Sequence, residues 1–219
     1  MTKNDTRYFK KYASGAGYEK QKDNLTFDKR LRELASLEYK TGKLLDLGCA
    51  FGFFLAKAEK IGFETYGIDI SKLAIKKATK NCKAKLYQLD ISKEKLPFTA
   101  NFFDVVTMFD TLEHLENYTF ALKEIIRVLK KGGVLYIQSP SGKRWAVDPT
   151  HLNYFTDKIL KLILERSGFE ILKIGMESGK LRSLYRLIRL IFKGSTNFNF
   201  VPFGGSFISC YAKKIYYYD

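Results

Sequence analysis

The stretch Leu44-Leu45-Asp46-Leu47-Gly48-Cys49-Ala50-Phe51-Gly52 changes character midway: a short apolar run carrying one carboxylate breaks at Gly48, and an amphipathic stretch, Phe53–Lys60, follows Gly52. This pattern reads as a strand, a tight turn and a helix. Glycines at 48 and 52 allow the backbone to approach a ligand with no Cβ in the way, and the first N–H groups of the next helix point to the same place. The spacing is Gly-x-x-x-Gly rather than Gly-x-Gly-x-x-Gly, which argues against a nicotinamide dehydrogenase. No Gly-Lys-Ser/Thr ending follows, which excludes a phosphate-binding P-loop.

Outward from this turn, short apolar runs alternate with amphipathic stretches, the signature of βα units that stack a mostly parallel sheet between helices. The expected strands are Leu44–Leu47, Glu64–Asp69, Ala84–Leu89, Phe103–Phe109, Val134–Gln138, Phe169–Ile174 and Phe207–Ala212. Helices are expected near Phe53–Lys60, Lys72–Asn81, Tyr118–Lys130 and Lys158–Ser167, the last two closed by Gly132 and Gly168. The fold class is therefore α/β, with a sheet of seven strands. Residues 1–40 form a Tyr-rich lead-in that turns helical from about Thr26, with Phe27, Leu31, Leu34 and Leu37 on one face. Residues 41–178 make the α/β core, 179–205 a helical insertion, and 206–219 the final strand.

The chain has 219 residues with 46% hydrophobic and 15% aromatic content, enough for one generous domain and unlike a disordered chain. Its net charge of +15 attracts phosphates, nucleic acid or anionic lipid without choosing among them. Cys49, Cys82 and Cys210 are too far apart to suggest a disulfide framework or a zinc knuckle. No apolar stretch follows Met1–Asp5, and no window approaches the ~18 apolar residues of a membrane span. The expectation is a cytoplasmic protein, soluble or peripheral to a membrane.

Two more carboxylates close strands. Asp69, in Gly67-Ile68-Asp69-Ile70-Ser71, suits the vicinal hydroxyls of a ribose, and Asp90, before Ile91, suits the exocyclic amine of an adenine. A single Asp at such a position commonly caps the next helix or turn, but three after three successive strands point to a ligand. These motifs, with Phe103-Asp104-Val105-Val106, Leu112-Glu113-His114 and Leu129-Lys130-Lys131-Gly132-Gly133, resemble the class I S-adenosylmethionine-dependent methyltransferases over residues 40–175. The resemblance implies a Rossmann-like sheet of seven strands with the last antiparallel, and S-adenosylmethionine as cofactor, leaving S-adenosylhomocysteine as product. It places Asp46, Gly48 and Gly52 at the methionine part, Asp69 at the ribose and Asp90 with Ile91 at the adenine; Cys49, Ile70 and Phe109 complete the expected cofactor set. Ala50 stands where the family usually carries a third glycine, a departure expected to be tolerated at negative φ.

For a hydroxyl acceptor the protein must position the two reactants and remove a proton, so a general base is needed. His114 and His151 are the chain's two histidines, and both fall at the expected acceptor end of the sheet. Each could equally be a hydrogen-bonded structural histidine. Asp110, Glu113 and His114 share the i, i+3, i+4 spacing of one helical turn and resemble the acidic-x-x-Glu-His motif of metal-assisted O-methyltransferases, with His151 as a fourth ligand. The expectation nevertheless is a metal-free site.

Acceptor contacts are expected from Arg144, Trp145 and Tyr154 in the loop after the fifth strand, and from Tyr8, Tyr12 and Tyr18 in a lid that excludes water. The run His151-Leu152-Asn153-Tyr154-Phe155-Thr156 resembles methyltransferases of quinone and surface-glycan biosynthesis, which implies a small-molecule or lipid-linked acceptor. Within the insertion, Arg182, Arg186, Arg189 and Lys193 oppose an apolar arc, so 180–203 reads either as a helix packed on its own sheet or as a contact with anionic membrane. Methylation of RNA ribose is the rival activity: nucleic acid suits the charge, but neither an Asn/Asp-Pro-Pro-aromatic turn nor a Pro-Cys pair is present. A SAM-binding regulator without catalysis is the non-enzyme alternative, suggested by Ala50 alone.

Overall fold

A computed structural model of the protein describes residues 25–142, 146, 148–178 and 205–215. In chain order the elements are helix α1 (Leu25–Ser36), strand β1 (Gly42–Leu47), α2 (Phe53–Lys60), β2 (Phe63–Asp69), α3 (Lys72–Asn81), β3 (Lys85–Gln88), β4 (Phe103–Phe109), a 3-10 turn (Leu112–His114), α4 (Tyr118–Val128), β5 (Leu129–Pro140), α5 (Asp157–Arg166), β6 (Phe169–Ser178) and β7 (Gly205–Lys214). Local chemistry sets several helix starts. Ser71, Asn117 and Thr156 each accept a hydrogen bond from a backbone N–H in the first turn of α3, α4 and α5 respectively.

The seven strands form one sheet in the order β3-β2-β1-β4-β5-β7-β6. The pairs β2–β3, β1–β2, β1–β4 and β4–β5 are parallel, and β7 runs antiparallel between β5 and β6. The Rossmann-like sheet with an antiparallel last strand is thus as the sequence implies. Helices cover both faces. Phe27, Leu31 and Leu34 of α1 pack with Phe54 and Leu55 of α2, Ala74 of α3 and Tyr136 and Tyr211 of the sheet. On the other face Leu122 and Ile125 of α4 and Leu160 and Leu164 of α5 pack on Val106, Met108 and Ile137. Burial on both faces explains why the central strands read as continuous apolar runs instead of alternating ones.

Strands β5, β6 and β7 extend beyond the expected bounds, and two further boundaries differ in ways that bear on the site. The α4 helix stops at Val128, because Leu129 turns extended, is wholly buried and pairs with Phe103. Gly132, at φ 75°, therefore bends the early part of β5 and does not close a helix; Gly168, at φ 93°, does follow the end of α5, its N–H donating to the Glu165 carbonyl. Strand β3 ends at Gln88, which leaves Asp90 in the following turn. Among the described residues no helix is long and apolar enough to cross a membrane.

Strand order reverses between β1 and β4, and open α/β sheets bind ligands at the carboxyl ends of the strands flanking such a reversal. The turn after β1 and the turn after β4 meet there.

Candidate active site

The turn after β1 is held from two sides. The N–H groups of Gly48 and Cys49 both donate to the Ile68 carbonyl, and the N–H of Ala50 donates to Asp69 Oδ2 at 2.9 Å. Gly48 and Gly52 take φ of 78° and 74°, a region glycine enters at no steric cost. A Cβ on Gly48 would lie 2.1 Å from Thr111 Oγ1, and one on Gly52 would lie 2.7 Å from Cys82 Sγ. The glycines thus bring the turn against its own neighbours, fixing the first turn of α2. Ala50 is not at negative φ: it sits at 47°, because its N–H must reach Asp69 while the chain turns between the two glycines. A left-handed alanine costs about 1 kcal/mol.

Three carboxylates close this edge in different ways. Asp46 is buried, paired in register with Gly67 and Thr107, and accepts a 2.7 Å bond from Thr107 Oγ1. Burial pushes its carboxyl up to about 7 despite that bond and the nearby Arg30 charge. Asp69 braces the site, with Oδ2 taking the Ala50 N–H and Oδ1 the Ser71 N–H at 2.8 Å. Asp90 closes its own turn through the Ser92 N–H, with Lys93 Nζ 3.5 Å away. Ile70 is exposed beside Asp69, Ile91 is buried, and Cys49 is a buried thiol pushed far up by burial, which makes it a packing group and not a nucleophile.

Arg30 of α1, which carries no sequence motif, is part of the same edge. It is buried, its guanidinium lies 3.8 Å from the centre of the Phe109 ring, and it donates to Gln138 Oε1. Its Nε has no hydrogen-bond partner. A buried guanidinium N–H left without a partner, within electrostatic reach of Asp46, is suited to receive an anion. The signal was present in the sequence: Phe27, Arg30, Leu31 and Leu34 share one helical face, and a lone cation on a core-facing stripe needs a partner.

A second cluster is built by the 3-10 turn and the run after β5. Glu113 has no exposed side-chain surface; Ser139 Oγ donates to its Oε2 at 2.9 Å, while Oε1 has no hydrogen-bond partner. That Oε1 lies 4.0 Å from His114 Nε2 and 3.9 Å from His151 Nε2, and the imidazole centres are 4.8 Å apart. The Glu113 carbonyl accepts the N–H groups of Leu152 and Asn153, which locks the His151 run against the turn. Burial, then the Asp110 charge, push the Glu113 carboxyl up to about 8. His114 is pushed below the ordinary imidazole value by burial and by His151. Among the described residues, Glu113, His114 and His151 are brought together as one group able to hold a cation. Asp110 is not part of that group: at φ 49° it precedes a turn of only three residues, so it does not join Glu113 and His114 on one helical face.

Tyr154 is exposed on the same run. Tyr8, Tyr12, Tyr18, Arg144, Trp145 and the 180–203 segment lie outside the described residues.

The methyltransferase domain family matches residues 18–174. Among curated proteins, the chain is 30% identical over 118 residues to the ubiquinone biosynthesis O-methyltransferase of Pelagibacter ubique, covering 53% of this chain and 49% of that protein. It is 36% identical over 129 residues to the demethylmenaquinone methyltransferase of Staphylococcus carnosus, covering 53% of each. The chain thus spans about half the length of the curated relatives it matches. In fold it is similar to a SAM dependent methyltransferase from Archaeoglobus fulgidus, with a TM-score of 0.65 and 24% identity over 86% of this chain and 94% of that one. With the family matched across most of its length, and with strand-end acids around a glycine turn at the reversal of strand order, this chain belongs to the methyltransferase domain family of class I S-adenosylmethionine-dependent enzymes.

Proposed function

We propose that the chain methylates an oxygen of a small, quinone-type or lipid-linked acceptor, with a histidine as general base. The observation that carries this reading is the Glu113–His114–His151 group beside the cofactor edge. A relative named for O-methylation in ubiquinone biosynthesis supports the acceptor class.

The residues present fit the cofactor. The orphaned Nε of Arg30 suits the carboxylate of the methionine part, the Asp69 carboxylate closing β2 suits ribose hydroxyls, and exposed Ile70 offers apolar surface to a base. When bound, S-adenosylmethionine supplies a methyl group activated by its sulfonium. The chain's own task is to hold the acceptor oxygen in line and take its proton. His114 Nδ1 faces the Thr150 carbonyl at 3.2 Å and Thr150 Oγ1 at 3.1 Å; with the carbonyl fixing the proton on Nδ1, the basic lone pair falls on Nε2. The same burial that lowers the His114 pKa keeps the ring neutral and able to accept a proton at pH 7. His151, almost wholly buried, packs against this ring and orients it.

Incubation with S-adenosylmethionine and a catechol-type acceptor tests the proposal. A methyl ether seen by mass spectrometry, lost in His114→Gln, is the expected result. Methyl transfer to carbon or nitrogen, or undiminished turnover in His114→Gln, would overturn it.

A further inference from the structure

Arg30 sits on α1, which packs on the sheet through Phe27, Leu31 and Leu34, reaches Gln138 through Arg30 itself, and is tied to β5, β6 and β7 by a further side chain, a carboxylate. Glu33, one turn after Arg30, accepts a 2.6 Å hydrogen bond from the Tyr211 hydroxyl of β7 at Oε2, and the Tyr136 hydroxyl of β5 lies 3.4 Å from the same oxygen. Lys173 of β6 and Lys29 of α1 stand 3.6 and 3.9 Å from Oε1. The two tyrosines are paired in register and stack with ring centres 4.0 Å apart. Tyr136 in turn meets Phe109 edge-on at 4.9 Å, and Phe109 is the ring that Arg30 covers. A continuous row therefore runs from Lys173 through Tyr211, Tyr136 and Phe109 to the guanidinium, crossing β6, β7, β5 and β4.

We propose that Glu33, Tyr136 and Tyr211 are positioning residues that hold Arg30 at the anionic end of the cofactor, so that β7 governs cofactor affinity from across the sheet. The proposal rests on the reading of Arg30 given above. Its geometry is specific. Glu33 and Arg30 lie three residues apart on one helix face, so a small rotation of α1 about its axis carries the guanidinium off the Phe109 ring. The hydroxyl–carboxylate bond is charge-assisted and partly shielded from solvent, which gives it more hold than an exposed contact of the same length.

The test separates positioning from plain stability by the ligand used. S-adenosylhomocysteine carries the amino-acid carboxylate; 5′-methylthioadenosine keeps the nucleoside and sulfur without it. Calorimetry is expected to show that Tyr211→Phe and Glu33→Ala each weaken S-adenosylhomocysteine about five- to tenfold, as loss of a charge-assisted bond allows, while 5′-methylthioadenosine changes less than about twofold. Glu33→Gln, which keeps an oxygen for the tyrosine, falls between wild type and Glu33→Ala. Tyr211→Phe retains the stacked ring, and its unliganded melting curve confirms folding. An equal loss for both ligands, or none for either, would overturn the positioning role. A wild-type chain that binds neither ligand would overturn the proposed function along with it; a wild type that prefers S-adenosylhomocysteine, with that preference intact in the variants, would overturn this inference alone.

Discussion

Oε1 of Glu113 faces His151 Nε2 across 3.9 Å inside protein that leaves the carboxyl no exposed surface. With its pKa pushed up to about 8, Glu113 is mostly protonated at neutral pH, and Gln is a close mimic of that form. Glu113→Gln is expected to lower kcat by less than about tenfold, and His114→Gln by about 100-fold, the worth of a general base. Because His114 is pushed below 6.5, the acid limb of the rate–pH profile should fall below that value. Steady-state kinetics from pH 5 to 9 checks both points.

The same three side chains raise the question of a cation. With two imidazoles and one carboxyl assembled and Asp110 set apart, turnover is expected to persist within about twofold after exhaustive dialysis against EDTA, since a catalytic divalent ion would be worth far more. Activity that vanishes and returns with magnesium would reassign the group as a metal centre.

Asp46 holds a proton in the folded protein that the unfolded chain has released. Its carboxyl titrates near 7 when folded against an ordinary value of 3.8, so its ionisation erodes stability as pH climbs from about 4 to about 7, and the loss is complete above that. Asp46→Asn should therefore be more stable than wild type at pH 8, by about 2–3 kcal/mol, and no more stable at pH 4. Urea midpoints at the two pH values measure the difference.

Ala50→Gly should relieve the left-handed alanine. The gain is about 1 kcal/mol, or about 2–4 °C in Tm for a chain of this size, and is read by differential scanning calorimetry. An unchanged or lower Tm would mean that the Ala50 methyl group repays its strain through packing.

Much of this was legible in the residues because it is local. Strands buried on both faces read as apolar runs, and Asp46 and Asp69 stand out as charges at their ends. Glu113, His114 and His151 were nameable as chemistry, but their meeting depends on two backbone N–H groups from 152 and 153 reaching the Glu113 carbonyl. Arg30 belongs to no motif, and its only mark in the sequence is its place on the apolar stripe of α1. The sign of φ at Ala50 is set by a bond to Asp69, 19 residues away, which no window around the turn contains. The Glu33–Tyr211 bond had no local signal at all.

That bond joins positions 178 residues apart. On a ribosome, α1 must wait for those 178 residues to be made before its tyrosine partner can leave the exit tunnel. Strand β7 completes the sheet between β5 and β6, so a nascent polypeptide halted before Gly205 has the residues of its glycine turn and still lacks the latch on α1.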